Sequence, residues 1–316
     1  MDAQPKRVGM SRNYGLGHRD MNKAGALALE RARVGKTISF ETEKKYAQSW
    51  SQFVRWAKEQ GINRMEHITA AHVTQYGRGL ADRVAADITA ASTAQNLVLA
   101  VNRVMHMATR GHWKSVSSTG ASGIAERCNV RQDTPQALDR STYETLLEAA
   151  KGKVGERAIA VCELARELGL RSKEASLMDA QGALKQAREK GAVSVLDGTK
   201  GGRYRQVPIT TDAQRAALER AATAQGTARA VMPAECTWKS WRGGELRQAR
   251  EAMGGLHELR AAYACERYAA LTGHRAPCAG GQILDKKADK EARKAISAEL
   301  GHGRIEVVNA YVGGQL

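Results

Sequence analysis

Apolar residues recur at three- and four-residue intervals through most of this chain, and that period, rather than strict alternation, confines it to a mainly helical fold. Tyr46, Trp50, Phe53, Val54 and Ala57 make one such stripe, ended by Gly61. A second helix is expected from about Ala70 to Val84 with Thr69 as its N-cap. A third runs from Ser92 to Thr109, with Leu97, Ala100, Val101, Val104 and Met105 on its inner face. The period returns around Thr142, Leu146 and Leu147, then over 159–168, 213–224, 256–271, 286–300 and 306–312. Only 192–196 and 204–209, on either side of a glycine-rich turn at 197–202, read as strands.

A length of 316 residues leaves room for roughly two domains with ample cores. The stretch 115–135 mixes Ser, Gly, Asn and Thr and ends in Thr134 and Pro135, where helix is disfavoured, so the boundary is placed near residue 132. Lys and Arg number 49 against 33 Asp and Glu, a net charge of +16, which favours a polyanionic partner, nucleic acid ahead of an acidic membrane. The excess divides almost evenly, +9 over residues 1–134 and +7 over the rest, so both halves are able to touch a phosphate backbone, as a clamp would. No apolar run approaches the ~18 residues that span a bilayer. The five cysteines, Cys128, Cys162, Cys236, Cys265 and Cys278, are odd in number and form no CxxC pair; neither a disulfide framework nor a zinc site is readable, and a cytoplasmic location is expected. Residues 1–20, with Lys6, Arg7, Arg12 and Arg19 among glycines and no apolar signal stretch, read as a basic flexible arm.

Familiar cofactor and metal motifs are missing. The turn around Lys200 lacks the spacing and the Ser or Thr of a phosphate-binding loop, and His257-Glu258 opens like a zinc-protease helix but has Ala261 where the second His belongs. What remains is a sparse series. Arg171 follows Gly169, Lys200 sits in the turn, His257 and Arg260 form His-x-x-Arg, and His302 follows Gly301. Tyr311 comes nine residues after His302. Each has a plainer reading: Arg171 complements the end of the preceding helix, Glu174 pairs with it at the surface, Lys200 is a solvated turn residue, His257 is a surface His, His302 caps carbonyls, and Tyr311 is a half-buried core residue.

Taken together and in order, these residues resemble the tyrosine recombinase (phage integrase) family, from about residue 37 to the end of the sequence. The resemblance implies a helical core DNA-binding domain, 21–132, and a mixed, mostly α catalytic domain with a small antiparallel sheet, 133–316. It implies Arg171 and Arg260 gripping a DNA phosphate, Tyr311 as the nucleophile, His257 as its base, His302 as a donor to the phosphate, Lys200 as the acid for the leaving 5′-oxygen, and Glu174 orienting Arg171. It also implies a 3′-phosphotyrosine intermediate without metal or cofactor, and double-stranded DNA as partner. A homotetramer would form on the synapsed sites and pass through a Holliday junction in integration, excision or resolution of a mobile element, with accessory proteins as further partners. A DNA-binding accessory protein without catalysis and a type IB topoisomerase-like enzyme stay open as alternatives.

Further DNA contacts are expected from the basic face Lys44, Lys45, Arg55 and Lys58, from Gln95, Asn96, Asn102 and Arg103 on the third helix, and from Arg203 and Arg205 beside Lys200. Between Arg260 and His302 the segment within 271–294 is longer than is usual for the family. It is expected to be a surface loop, or an added contact through His274, Arg275, Lys286 and Lys287. Five residues follow Tyr311, fewer than the segment many relatives dock on a neighbouring protomer.

Overall fold

The computed structural model describes residues 12–314. The chain divides into two compact units, the first ending at Cys128 and the second beginning at Asn129.

The first unit is all helical: α1 (Met21–Val34), α2 (Phe40–Glu59), α3 (Ala70–Ala85) and α4 (Ala91–Ala108). Asp20, Ser39 and Thr69 cap α1, α2 and α3 by accepting hydrogen bonds from backbone N–H groups of the first turn, which those N–H groups otherwise lack. Trp50, Phe53, Val54 and Ala57 of α2 are buried, as the stripe requires. The Trp50 indole lies against Gly25 of α1 with no space for a side chain there, and its Nε1 donates to the Met21 carbonyl at 3.0 Å, so the polar atom of a fully buried ring is satisfied. Helix α1 was not expected; its alternating small residues carry too weak an apolar period.

The segment expected as a flexible arm is described from residue 12 onward, and there it is packed down. Asn13 and Leu16 are buried, Asn13 Oδ1 accepts from Met65 N at 2.8 Å, and Arg12 Nη2 donates to the Asn63 carbonyl. Residues 1–11, with Lys6 and Arg7, lie outside the described residues.

The second unit contains α5 (Arg140–Ala150), α6 (Glu156–Leu168), α7 (Ser172–Leu177), α8 (Ala180–Lys190), strands β1 (Ala192–Val195) and β2 (Arg205–Pro208), then α9 (Asp212–Gln225), α10 (Trp238–Gly243), α11 (Glu245–Ala252), α12 (Leu256–Thr272), α13 (Lys286–Glu299) and α14 (Asn309–Val312). Helix α6 is its axis, buried from Ala158 through Leu168 and packed against α9, α12, α7 and α11. The strands pair antiparallel, Ala192 opposite Pro208 and Val195 opposite Arg205, with Val193, Val195 and Val207 turned inward.

The long segment after α12 is not a surface loop. Ala276 and Cys278 in its short 3-10 turn are buried, and its later part is α13, with Ala292, Arg293 and Ile296 in the core. His274, Arg275, Lys286 and Lys287 do remain exposed.

Candidate active site

Gly169 ends α6 in the left-handed region, φ +62°, where a side chain would collide with Tyr263 and Leu300; the reversal places Arg171 at the start of α7. Arg171 Nη1 donates to Glu174 Oε1 at 2.7 Å, and its backbone N donates to Oε2 at 2.7 Å. Glu174 is buried, and β2 brings Arg205 onto the same carboxylate. Burial works against the Glu174 charge, but Arg205 and then Arg171 outweigh it and hold the carboxyl at about 2. Part of the Arg171 guanidinium remains open, with the side chain 25% exposed.

Arg260, on the first turns of α12, is 1% exposed. It donates to the carbonyls of Gly169 and Leu300, lies 3.4 Å from His302 Nε2, and through Nε donates to the Tyr311 hydroxyl at 3.3 Å. Its guanidinium carbon also lies 5.6 Å from the centre of the Tyr311 ring. Four of its five N–H groups are thus committed, so a phosphate reaching Arg260 must enter where Tyr311 and His302 stand. Burial lowers its pKa to about 10, and it stays charged at neutral pH.

His257 and His302 flank Tyr311, ring centres at 5.2 and 5.4 Å. His302 is desolvated and faces Arg260, Arg171 and Arg205, which push it down to about 3; it is neutral, and the nitrogen facing Arg260 acts as acceptor, leaving the proton on Nδ1. His257 is lowered by desolvation and then by Arg260, so it too favours the neutral form that accepts a proton. Five of the six expected residues, Arg171, His257, Arg260, His302 and Tyr311, therefore come together in the second unit. Lys200 does not touch them: it is exposed in the β1–β2 turn.

Tyr311 sits on α14, a single turn braced from α13. Arg293, fully buried, donates to Asn309 Oδ1 at 2.7 Å and to the Gly313 carbonyl at 3.0 Å while Asp289 holds its Nε from both oxygens at 2.9 Å. Arg131 N also donates to the Asn309 carbonyl at 2.9 Å. Sequence reading missed this brace.

Several expected DNA contacts are corrected. Arg205 is buried and spent on Glu174 and on the Glu299 carbonyl at 2.6 Å; its inward position, two residues from Val207, was the available signal. Gln95 Nε2 is held by the Ala125 carbonyl at 2.7 Å, and Asn102 is buried, binding Val116 and Trp113. Lys58 pairs with Asp20 at 2.7 Å but stays exposed, so its place on the basic face is kept. Lys44, Lys45, Arg55, Asn96, Arg103 and Arg203 are exposed. Lys44, Arg55 and Lys58 share one face of α2, with Lys45 roughly 100° around it.

A helical unit is followed by a mainly helical unit in which two arginines and two histidines surround a late tyrosine, and this fold is shared with solved integrase structures. The family model described as integrase matches residues 125–266, so it covers Arg171, Lys200, His257 and Arg260 but stops short of His302 and Tyr311. In structure the chain is similar to a lambda integrase dimer bound to a COC' core site (17% identity, TM-score 0.54, 90% of this chain and 75% of that one). It is also similar to the Tn1549 transposon integrase in complex with transposon right end DNA (12%, 0.58, 92% and 95%) and to a lambda integrase tetramer bound to a Holliday junction (18%, 0.52, 89% and 77%). None of the curated protein sequences compared matches the chain. Among the described residues no helix is long and apolar enough to cross a membrane.

Proposed function

We propose that this chain is a site-specific DNA recombinase that breaks and rejoins strands through a 3′-phosphotyrosine intermediate. The observation that carries the reading is the Tyr311 hydroxyl, held by Arg260 Nε at 3.3 Å with neutral His257 and His302 on either side of its ring.

In this reading the scissile phosphate lies against the open part of Arg171 and displaces the Tyr311–Arg260 contact, so the two guanidiniums share the charge that grows on the nonbridging oxygens. His257 takes the phenol proton, and Tyr311 Oη attacks phosphorus. His302 donates through its N–H to a phosphate oxygen. The 5′-oxygen leaves with a proton from Lys200, which the turn must bring to the DNA. The new phosphotyrosine keeps the energy of the diester, so the 5′-hydroxyl of a partner strand reverses the step on another duplex. Solved structures of similar fold include a DNA-bound dimer and a tetramer on a Holliday junction, which supports duplex DNA as partner and a tetramer as working form here.

The test is a nicked suicide substrate. The wild-type chain forms an SDS-resistant protein–DNA adduct, and Tyr311→Phe binds the same DNA without forming one. An adduct in the variant, or none in wild type on its own recognition site, rejects the reading. Recombination of a two-site plasmid separates it from a relaxing topoisomerase.

A further inference from the structure

Cys265 on α12 and Cys278 in the 3-10 turn hold their Sγ atoms 3.5 Å apart, and each thiol is directed at the backbone carbonyl of Tyr311, at 3.4 and 3.5 Å. The strand-transfer chemistry uses neither. Both are buried, 2% and 7% exposed, yet a cavity of about 410 Å³ opens onto Cys265. Thr134, Leu138, Glu266, Arg275 and Ala276 line it. A small uncharged molecule therefore has a route to Cys265, whose sulfur lies 3.5 Å from that of Cys278.

We propose that Cys265 and Cys278 form an oxidation site, a dithiol that hydroperoxides convert to a disulfide, and that its state sets how firmly Tyr311 is held. The second clause rests on the recombinase reading; the first does not. One thiol attacks a peroxide oxygen, the O–O bond breaks, and a sulfenic acid and water result. The second thiol displaces that hydroxyl as a second water. In sum, two thiols lose two protons and two electrons, and hydrogen peroxide is reduced to two waters.

The local electrostatics suit this chemistry. A hydrogen bond from Cys265 and, against burial, the positive charge of Arg131 hold the Cys278 thiol below its ordinary range, which favours attack by its sulfur, while Cys265 is pushed up. Oxidation removes S–H donation to the Tyr311 carbonyl and turns sulfur lone pairs toward it. Bond formation also draws Cys278 against its own anchors. Thr134 Oγ1 donates to the Cys278 carbonyl at 2.9 Å, and Gly313, two residues after the nucleophile, packs on Cys278 without room for a side chain. The strain thus reaches both the middle and the end of α14.

Two measurements on the full chain test this. After hydrogen peroxide, peptide mapping is expected to find Cys265 joined to Cys278, reversibly with dithiothreitol. Both thiols remaining open to alkylation would overturn the oxidation site. On a nicked substrate, oxidised wild type is expected to form adduct at least tenfold more slowly at unchanged DNA affinity. Cys265→Ala and Cys278→Ala, made separately so that one folding failure does not decide the matter, keep their rates after peroxide. A disulfide with no change in adduct rate overturns the control of Tyr311. If reduced wild type forms no adduct at all, the recombinase reading fails, and the peptide map, which needs no DNA, still decides the oxidation site.

Discussion

Arg205 and Glu174 share two hydrogen bonds, 3.0 and 2.6 Å, where neither side chain keeps more than 4% of its surface open. Through this pair the hairpin strand β2 fixes the carboxylate that in turn fixes Arg171. Arg205→Met leaves the Glu174 charge buried with Arg171 at 2.7 Å and Arg260 at 3.8 Å as its remaining partners, and breaking a buried pair in this way costs about 3–5 kcal/mol. Urea unfolding is expected to show that loss. Adding Glu174→Gln to the same chain recovers part of it, a coupling that independent sites do not show.

Arg293→Met is expected to slow adduct formation at least tenfold with DNA affinity unchanged, because Asn309 and Gly313 lose the side chain that spans Tyr311. Arg293→Lys, which keeps the charge but not the fork, recovers only a fraction of the rate. Filter binding beside single-turnover cleavage separates the two effects; equal losses in both would assign Arg293 to general stability.

His302 carries its own signature in acid. Its folded pKa of about 3 lies below the ordinary value of 6.5, so between those limits the unfolded chain binds a proton that the folded chain refuses, and stability falls as pH falls through that window. Glu174, held at about 2 from an ordinary 4.5, adds a second loss that begins lower. Thermal unfolding from pH 7 to 5 is expected to give a shallower decline in Tm for His302→Gln than for wild type. A parallel decline would place the sensitivity elsewhere.

Gly169→Ala combines a left-handed backbone with a collision against Tyr263 and Leu300. The backbone alone costs ~1–2 kcal/mol and crowding adds to it. The Gly169 carbonyl also accepts from Arg260, so adduct formation is expected to fall together with Tm. Loss of Tm with full cleavage would show that Arg260 does not depend on this turn.

Helix α2 was legible because its apolar stripe follows the 3.6-residue period, and α6 and α12 because each is a long apolar run, the first ended by Gly169 and the second by Gly273. The short helices α7, α10 and α11 were not, since six to eight residues hold too few repeats to show a period. The six candidate residues stood out in the sequence through their order and the family resemblance, and the structure brings five of them together. Their supports did not stand out. Arg205 looks like any basic residue of a hairpin until the strand pairing turns it inward, and Arg293 looks like one more charge on a helix rich in Lys until burial sets it apart. Gln95 and Asn102 misled for a related reason, since an amide that ties two parts of a chain together has the same letters as one that reads a base.

Helix α14 is four residues long, too short for backbone hydrogen bonding to repay the entropy of fixing it. Its order is borrowed from Arg293, from the backbone of Arg131 and from the two thiols. A transplant of the last few residues between chains of this fold would therefore carry the tyrosine without its geometry. The unit of inheritance is the tyrosine turn together with α13 and the Cys278 turn, and change in one is constrained by the others.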